Sequence, residues 1–139
     1  MSRKKDELGR PLMEPPVPTE SAEQEALFMW AEYNLTKYPE LRWMYHIPNE
    51  GKRSFQRGAQ MRREGLKRGV PDNCLPVARG NYSALYIEMK RIRGGRMSAD
   101  QKEWAEGLQW CGNLVMRCNG WEQAARVIEQ YLNCWEDFK

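Results

Sequence analysis

Residues 84–90, Ala-Leu-Tyr-Ile-Glu-Met-Lys, alternate apolar and polar side chains with period two. That is the pattern of a strand with one buried face. Leu85, Ile87 and Met89 share the apolar face; Tyr86, Glu88 and Lys90 share the other. A second candidate strand, 72–78, joins it through the turn-forming Arg79-Gly80-Asn81. Upstream, Trp43, Tyr45 and Ile47 alternate within 41–47, which predicts a further strand closed by the Pro48-Asn49-Glu50-Gly51 turn. Residues 114–118 predict a short fourth strand.

The rest of the pattern is helical. A first helix opens at Thr19 or Ser21 and stops before Pro39. Ser21 with Gln24 would form a capping box; alternatively Thr19 caps, and Glu20 and Glu23 complement the helix dipole. Glu20, Gln24, Leu27 and Ala31 lie on one stripe. Residues 54–66 predict a basic helix stopped by Gly65 or Gly69, weakened by Gly58 inside it. Ser98 and Gln101 match a capping box for a third helix, with Trp104, Leu108 and Cys111 as its buried stripe. Asn119, with Glu122 three residues on, is placed to cap a last helix. Its apolar face is Trp121, Ala124, Ala125, Ile128, Leu132 and Trp135. The order helix, strand, helix, two strands, helix, strand, helix predicts an α/β fold, a mixed central sheet flanked by helices. Residues 1–18, with Pro11, Pro15, Pro16 and Pro18 among charges, predict an extended or disordered arm before one domain over 19–139.

Charge changes this picture. The net formal charge is only +3, but 52–68 hold seven basic residues (Lys52, Arg53, Arg57, Arg62, Arg63, Lys67, Arg68) against the single acid Glu64. Arg91, Arg93 and Arg96 follow the 84–90 strand directly. A basic field beside an acidic pocket suits a polyanion whose backbone must be led to a cation. Four cysteines without a Cys-x-x-Cys pair, and one histidine (His46), argue against structural zinc. They fit an intracellular protein with reduced thiols. The charged N-terminus has no apolar run after it, and no stretch is long enough to span a membrane.

The candidate chemistry lies in Gly69-Val70-Pro71-Asp72 and Ile87-Glu88-Met89-Lys90. If 72–78 and 84–90 pair as a hairpin, Asp72 approaches Glu88. Two converging carboxylates repel unless a hard divalent ion sits between them. A lysine beside such an ion can orient a water and stabilise developing negative charge. His46 and Asn49 sit where the upstream strand ends, which is one route to the substrate; the other reading of a lone histidine, and the commoner one, is structural.

Those two motifs, followed by Gly94-Gly95 and Ser98-x-x-Gln101-x-x-Trp104, resemble the PD-(D/E)xK nuclease superfamily. Within it the chain is similar, from about 19 to 132, to stand-alone VRR-NUC domains of phages and bacteria. The resemblance implies a restriction-endonuclease-like core. It implies that Asp72, Glu88 and the Met89 carbonyl bind Mg²⁺ or Mn²⁺, that Lys90 positions the attacking water, and that Gln101 lies near the site. It also implies an acid on the first helix, where Glu20, Glu23 and Glu25 compete and Glu20 is favoured for its stripe with Gln24. DNA contacts fall to Lys52, Arg53, Arg57, Arg62, Arg63, Arg91 and Arg93. The activity implied is a structure-specific DNA endonuclease of the cytoplasm, acting as a homodimer on branched DNA such as four-way junctions. A flap or single-strand nuclease, or a binding module that does not cut, are the alternatives.

Overall fold

The computed structural model describes residues 4–12, 16–48 and 55–133. Its elements run α1 (Glu20–Tyr33), a short 3₁₀ helix (Pro39–Trp43), β1 (Tyr45–His46), α2 (Phe55–Arg63), β2 (Asn73–Leu75), β3 (Leu85–Lys90), α3 (Ala99–Trp110), β4 (Leu114–Asn119) and α4 (Trp121–Asn133). The sheet order is β1-β2-β3-β4. β1 and β2 are antiparallel, as are β2 and β3, while β4 runs parallel to β3 after the α3 crossover. This is the mixed sheet that the alternation predicts.

The apolar face of β3 anchors the core. Leu85, Ile87 and Met89 are buried together with Leu27 and Ala31 of α1 and Ala124, Ile128, Tyr131 and Leu132 of α4. Helices α1 and α4 therefore cover one face. Glu88 and Lys90 point to the opposite face, where α3 reaches them through Gln101. No helix among the described residues is long and apolar enough to cross a membrane.

Several expectations change. The strand expected over 41–47 shrinks to Tyr45–His46, because Pro39 begins a 3₁₀ turn through Trp43 that buries Leu41. The strand expected over 72–78 is only Asn73–Leu75. Thr19, not Ser21, caps α1, accepting from the Ala22 amide at 3.0 Å. Helix α3 has no buried residue: Trp104 and Leu108 are half-buried and Cys111 is exposed. It lies as an outer layer against β4, and Trp110 is 91% exposed. Cys74 and Cys118 are core thiols, and burial pushes the Cys118 thiol up to about 12. Cys134 and Trp135 lie outside the described residues.

The start of α4 also differs from the capping scheme expected of Asn119. Asn119 is the last residue of β4, and its side-chain amide donates to the Arg91 carbonyl at 2.8 Å. The Trp121 amide, at the first turn of α4, instead donates to Glu23 Oε2 at 2.7 Å. Glu23 is only 3% exposed, and Gly120 (φ +87°) turns the chain into α4 beside it, where a Cβ would press on Ile92 Cγ1 at 3.1 Å. A carboxylate at a helix N-terminus satisfies an otherwise orphaned amide and complements the dipole. Glu23→Ala should therefore lower the unfolding free energy by about 1–2 kcal/mol while leaving activity per folded molecule unchanged. Denaturant unfolding beside a specific-activity assay checks both; a loss of activity without a loss of stability would assign Glu23 to chemistry instead.

Candidate active site

The β2–β3 register sets Asn73 opposite Ile87, Cys74 opposite Tyr86 and Leu75 opposite Leu85. One step further, the same register sets Asp72 opposite Glu88. Opposed residues of an antiparallel pair share a face, so the two carboxylates converge. Asp72 is fixed at its backbone by β1: its carbonyl accepts from the Ile47 amide at 2.6 Å and lies 2.8 Å from His46 Nδ1. His46 thus supports the site through the main chain of Asp72.

The next step of the register sets Pro71 opposite Met89. Backbone groups of Leu85, Ile87 and Met89 point toward β2, and those of Ala84 and Lys90 point toward β4, whose side supplies the Leu114 and Gly120 amides to their carbonyls. Proline has no N–H to offer Met89. The Met89 amide instead donates to Asp72 Oδ2 at 2.7 Å. Its carbonyl, on the same side of the strand, faces that edge without a ladder donor opposite.

Glu88 is 2% exposed. Its Oε1 accepts from Gln101 Nε2 at 2.8 Å and lies 3.5 Å from Lys90 Nζ. Its Oε2 is buried and has no hydrogen-bond partner. Burial first, and the Asp72 carboxylate second, push the Glu88 carboxyl up to about 8, against the opposing pull of Lys90. Gln101 closes a ring: its side-chain oxygen accepts from Lys90 Nζ at 3.1 Å and from the Ser98 amide at 2.9 Å. The capping box of α3 and the grip on Glu88 and Lys90 are one side chain's work.

Two glycines permit this closeness. A Cβ on Gly95 would lie 2.9 Å from the Lys90 Cβ, so the 94–95 loop can lie directly on the lysine stem. A Cβ on Gly69 (φ +91°) would come within 2.6 Å of the Asp100 backbone, so only glycine lets the segment entering Pro71-Asp72 pass the first turn of α3.

The donor set suits a hard cation. Asp72 and Glu88 supply carboxylate oxygens, the Met89 carbonyl faces the same edge, and Glu88 Oε2 is an orphaned buried acceptor. Oxygen ligands with room for waters are what Mg²⁺ and Mn²⁺ take. Among the described residues no three His, Cys, Asp or Glu side chains cluster as a metal site, so any ion here needs the carbonyl and water.

The remaining candidates are spread around this centre. Glu20 is exposed in the first turn of α1. Gln24, one turn along the same stripe, forms a reciprocal amide pair with Asn73, the residue after Asp72. That pair of a half-buried Gln24 with a buried Asn73 was not legible in the sequence, since Asn73 reads as an ordinary strand residue. Arg57, Arg62 and Arg63 lie exposed on α2, and Arg93 is exposed beyond β3. Lys52, Arg53 and Asn49 lie outside the described residues. Arg91 is exposed, and its guanidinium donates to the Val17 and Pro18 carbonyls at 3.1 and 3.3 Å, tying the segment before α1 to the end of β3.

Comparison with known proteins agrees with this fold. The family model for the VRR-NUC domain matches residues 18–122. A solved structure described as a VRR_NUC domain protein superposes with a TM-score of 0.73 at 29% identity, covering 84% of this chain and 90% of that one. No curated protein matches the chain.

Proposed function

The chain belongs to the VRR-NUC domain family, a family of nucleases, and from that premise we propose that it is a metal-dependent, structure-specific DNA endonuclease. The observation that carries the proposal is the pairing of Asp72 with Glu88, whose buried Oε2 lacks a partner, beside Lys90. In this reading Asp72, Glu88 and the Met89 carbonyl hold Mg²⁺ or Mn²⁺. Such an ion would polarise a phosphoryl oxygen and make a bound water more acidic. Lys90 Nζ orients the attacking water and stabilises the negative charge that develops on the phosphoryl group. Gln101 holds Lys90 and Glu88 in register, and Glu20 is the first-helix acid that completes the site.

Lys52, Arg53, Arg57, Arg62, Arg63, Arg91 and Arg93 lead the DNA backbone in without reading sequence. Arg91 keeps the arm before residue 19 against the nuclease domain (19–139). The preferred substrate is branched DNA, cut by a homodimer in the cytoplasm, since two-fold symmetric junctions favour two-fold symmetric enzymes.

The test is a panel of four-way junction, flap, single-stranded and linear duplex DNA, each incubated with Mg²⁺, Mn²⁺ or EDTA. Branched substrates should be cut at least tenfold faster than linear duplex, and only with metal. Equal cutting of linear duplex would remove the structure-specific reading. Binding without cleavage in every metal would favour the non-cutting module.

A further inference from the structure

The site face of the sheet carries more than its acids. Alternation along β3 sets Tyr86 on the same face as Glu88 and Lys90. The pairings then set Cys74 opposite Tyr86 and Tyr45 opposite Cys74. Tyr45, Cys74 and Tyr86 thus form a row running from β3 out to the edge strand β1. The Asp72–Glu88 row lies beside it, displaced by two residues, or about 7 Å, along the strands.

The row is built as a surface. Cys74 is buried, and the register places it between the two tyrosines. Tyr86 is half-buried, whereas Tyr45 is 49% exposed. Met44, just before Tyr45, supplies the core contact of this segment, so the core does not require an aromatic at 45. Trp43 is also exposed, and the Arg42 guanidinium lies 4.8 Å from its ring centroid. An exposed tyrosine backed by a second aromatic, one row from the converging carboxylates, has the make-up of a site for a stacked base whose phosphate lies at the acids.

We propose that Tyr45, backed by Tyr86, is a stacking platform for an unpaired nucleobase of the DNA held at the Asp72–Glu88 row. This rests on the nuclease reading and, within branched DNA, moves the preferred substrate from the fully paired four-way junction to branches that carry unpaired nucleotides. In duplex DNA both faces of each base are covered by its neighbours, so only a nucleotide outside the stack offers a free face. The substrate class is therefore branched or ended DNA with unpaired nucleotides beside the scissile phosphate, such as a flap or a fork. Continuous duplex does not qualify.

The test measures equilibrium binding in EDTA, where nothing is cut. One probe is a branched oligonucleotide with a single-stranded arm. The other is identical but has abasic sites in place of the unpaired nucleotides nearest the branch. Wild type should bind the base-bearing probe about tenfold tighter, within the range of one stacked base. Tyr45→Ala should bring the two probes to equal affinity, and Tyr45→Trp should keep the preference. Circular dichroism confirms that the exposed position tolerates both changes. If Tyr45→Ala leaves the ratio intact, or only alters self-association of the protein, the platform is refuted. In that case metal-dependent cleavage by wild type still upholds the nuclease reading, whereas no binding to any DNA would overturn both.

Discussion

Lys90→Met should reduce DNA cleavage by at least about a hundredfold at saturating metal while leaving DNA affinity within a few fold. Methionine keeps an unbranched stem under the 94–95 loop, where the Lys90 side chain is packed, and removes only the ammonium. That ammonium lies 3.5 Å from Glu88 Oε1 and donates to Gln101 Oε1. A surface lysine at that distance would be a weak ion pair. Lys90 is instead buried, and keeping a charged amine there is costly unless it is used. An interaction made mainly in the transition state lowers turnover more than binding, which is why the loss should fall on kcat. Unaltered turnover would mean that Lys90 is only a partner for Glu88.

Glu88→Gln should have opposite effects on stability and activity. Without metal, Glu88 faces Asp72 with one oxygen unpartnered. An amide can donate where the carboxylate repels, so the variant should be more stable than wild type by about 1–3 kcal/mol in EDTA at pH 8. The sign of the pH dependence follows from the raised carboxyl. The folded protein keeps a proton up to about pH 8 that the unfolded chain releases near its ordinary value of 4.5. Metal-free stability is therefore greatest below about 4.5 for this group. It falls as pH rises toward 8, by at most about 1.4 kcal/mol per pH unit. The variant should lose that slope. Mg²⁺ should raise the wild-type Tm more at pH 8 than at pH 6, because an ion favours the ionised pair, and should do little for the variant, which should not cut DNA. Thermal unfolding at the two pH values, with and without metal, reads all of this. A variant less stable than wild type in EDTA at pH 8 would mean that the carboxylate pair is not under strain.

Much of this site could be read along the chain because its logic is local. Alternation in 84–90 sets Glu88 and Lys90 on one face, and the Ser98–Gln101 capping box fixes where α3 begins. What could not be read depends on distant partners. Glu23 looks like one more dipole-complementing acid until the Trp121 amide, 98 residues on, lands on it. Arg91 looks like one more basic residue until the Val17 and Pro18 carbonyls take its guanidinium. The apolar stripe of α3 misleads because an outer helix with a half-covered Trp104 and Leu108 has the same spacing as a buried one. The strand over 41–47 fails because alternation in aromatics cannot report that Pro39 starts a 3₁₀ turn. The meeting of Asp72 with Glu88 needed the register, which the turn at Arg79–Tyr82 helps to set.

The central claim is that Asp72, Glu88 and Lys90 form a metal-dependent phosphodiesterase site. Cleavage of one labelled branched oligonucleotide by wild type and Lys90→Met, in Mg²⁺, Mn²⁺ and EDTA, tests it most directly. Cutting by wild type with metal only, and loss of cutting in a Lys90→Met protein that still folds and binds the DNA, is the predicted result. Cutting that survives in EDTA, or that Lys90→Met retains in full, would contradict it.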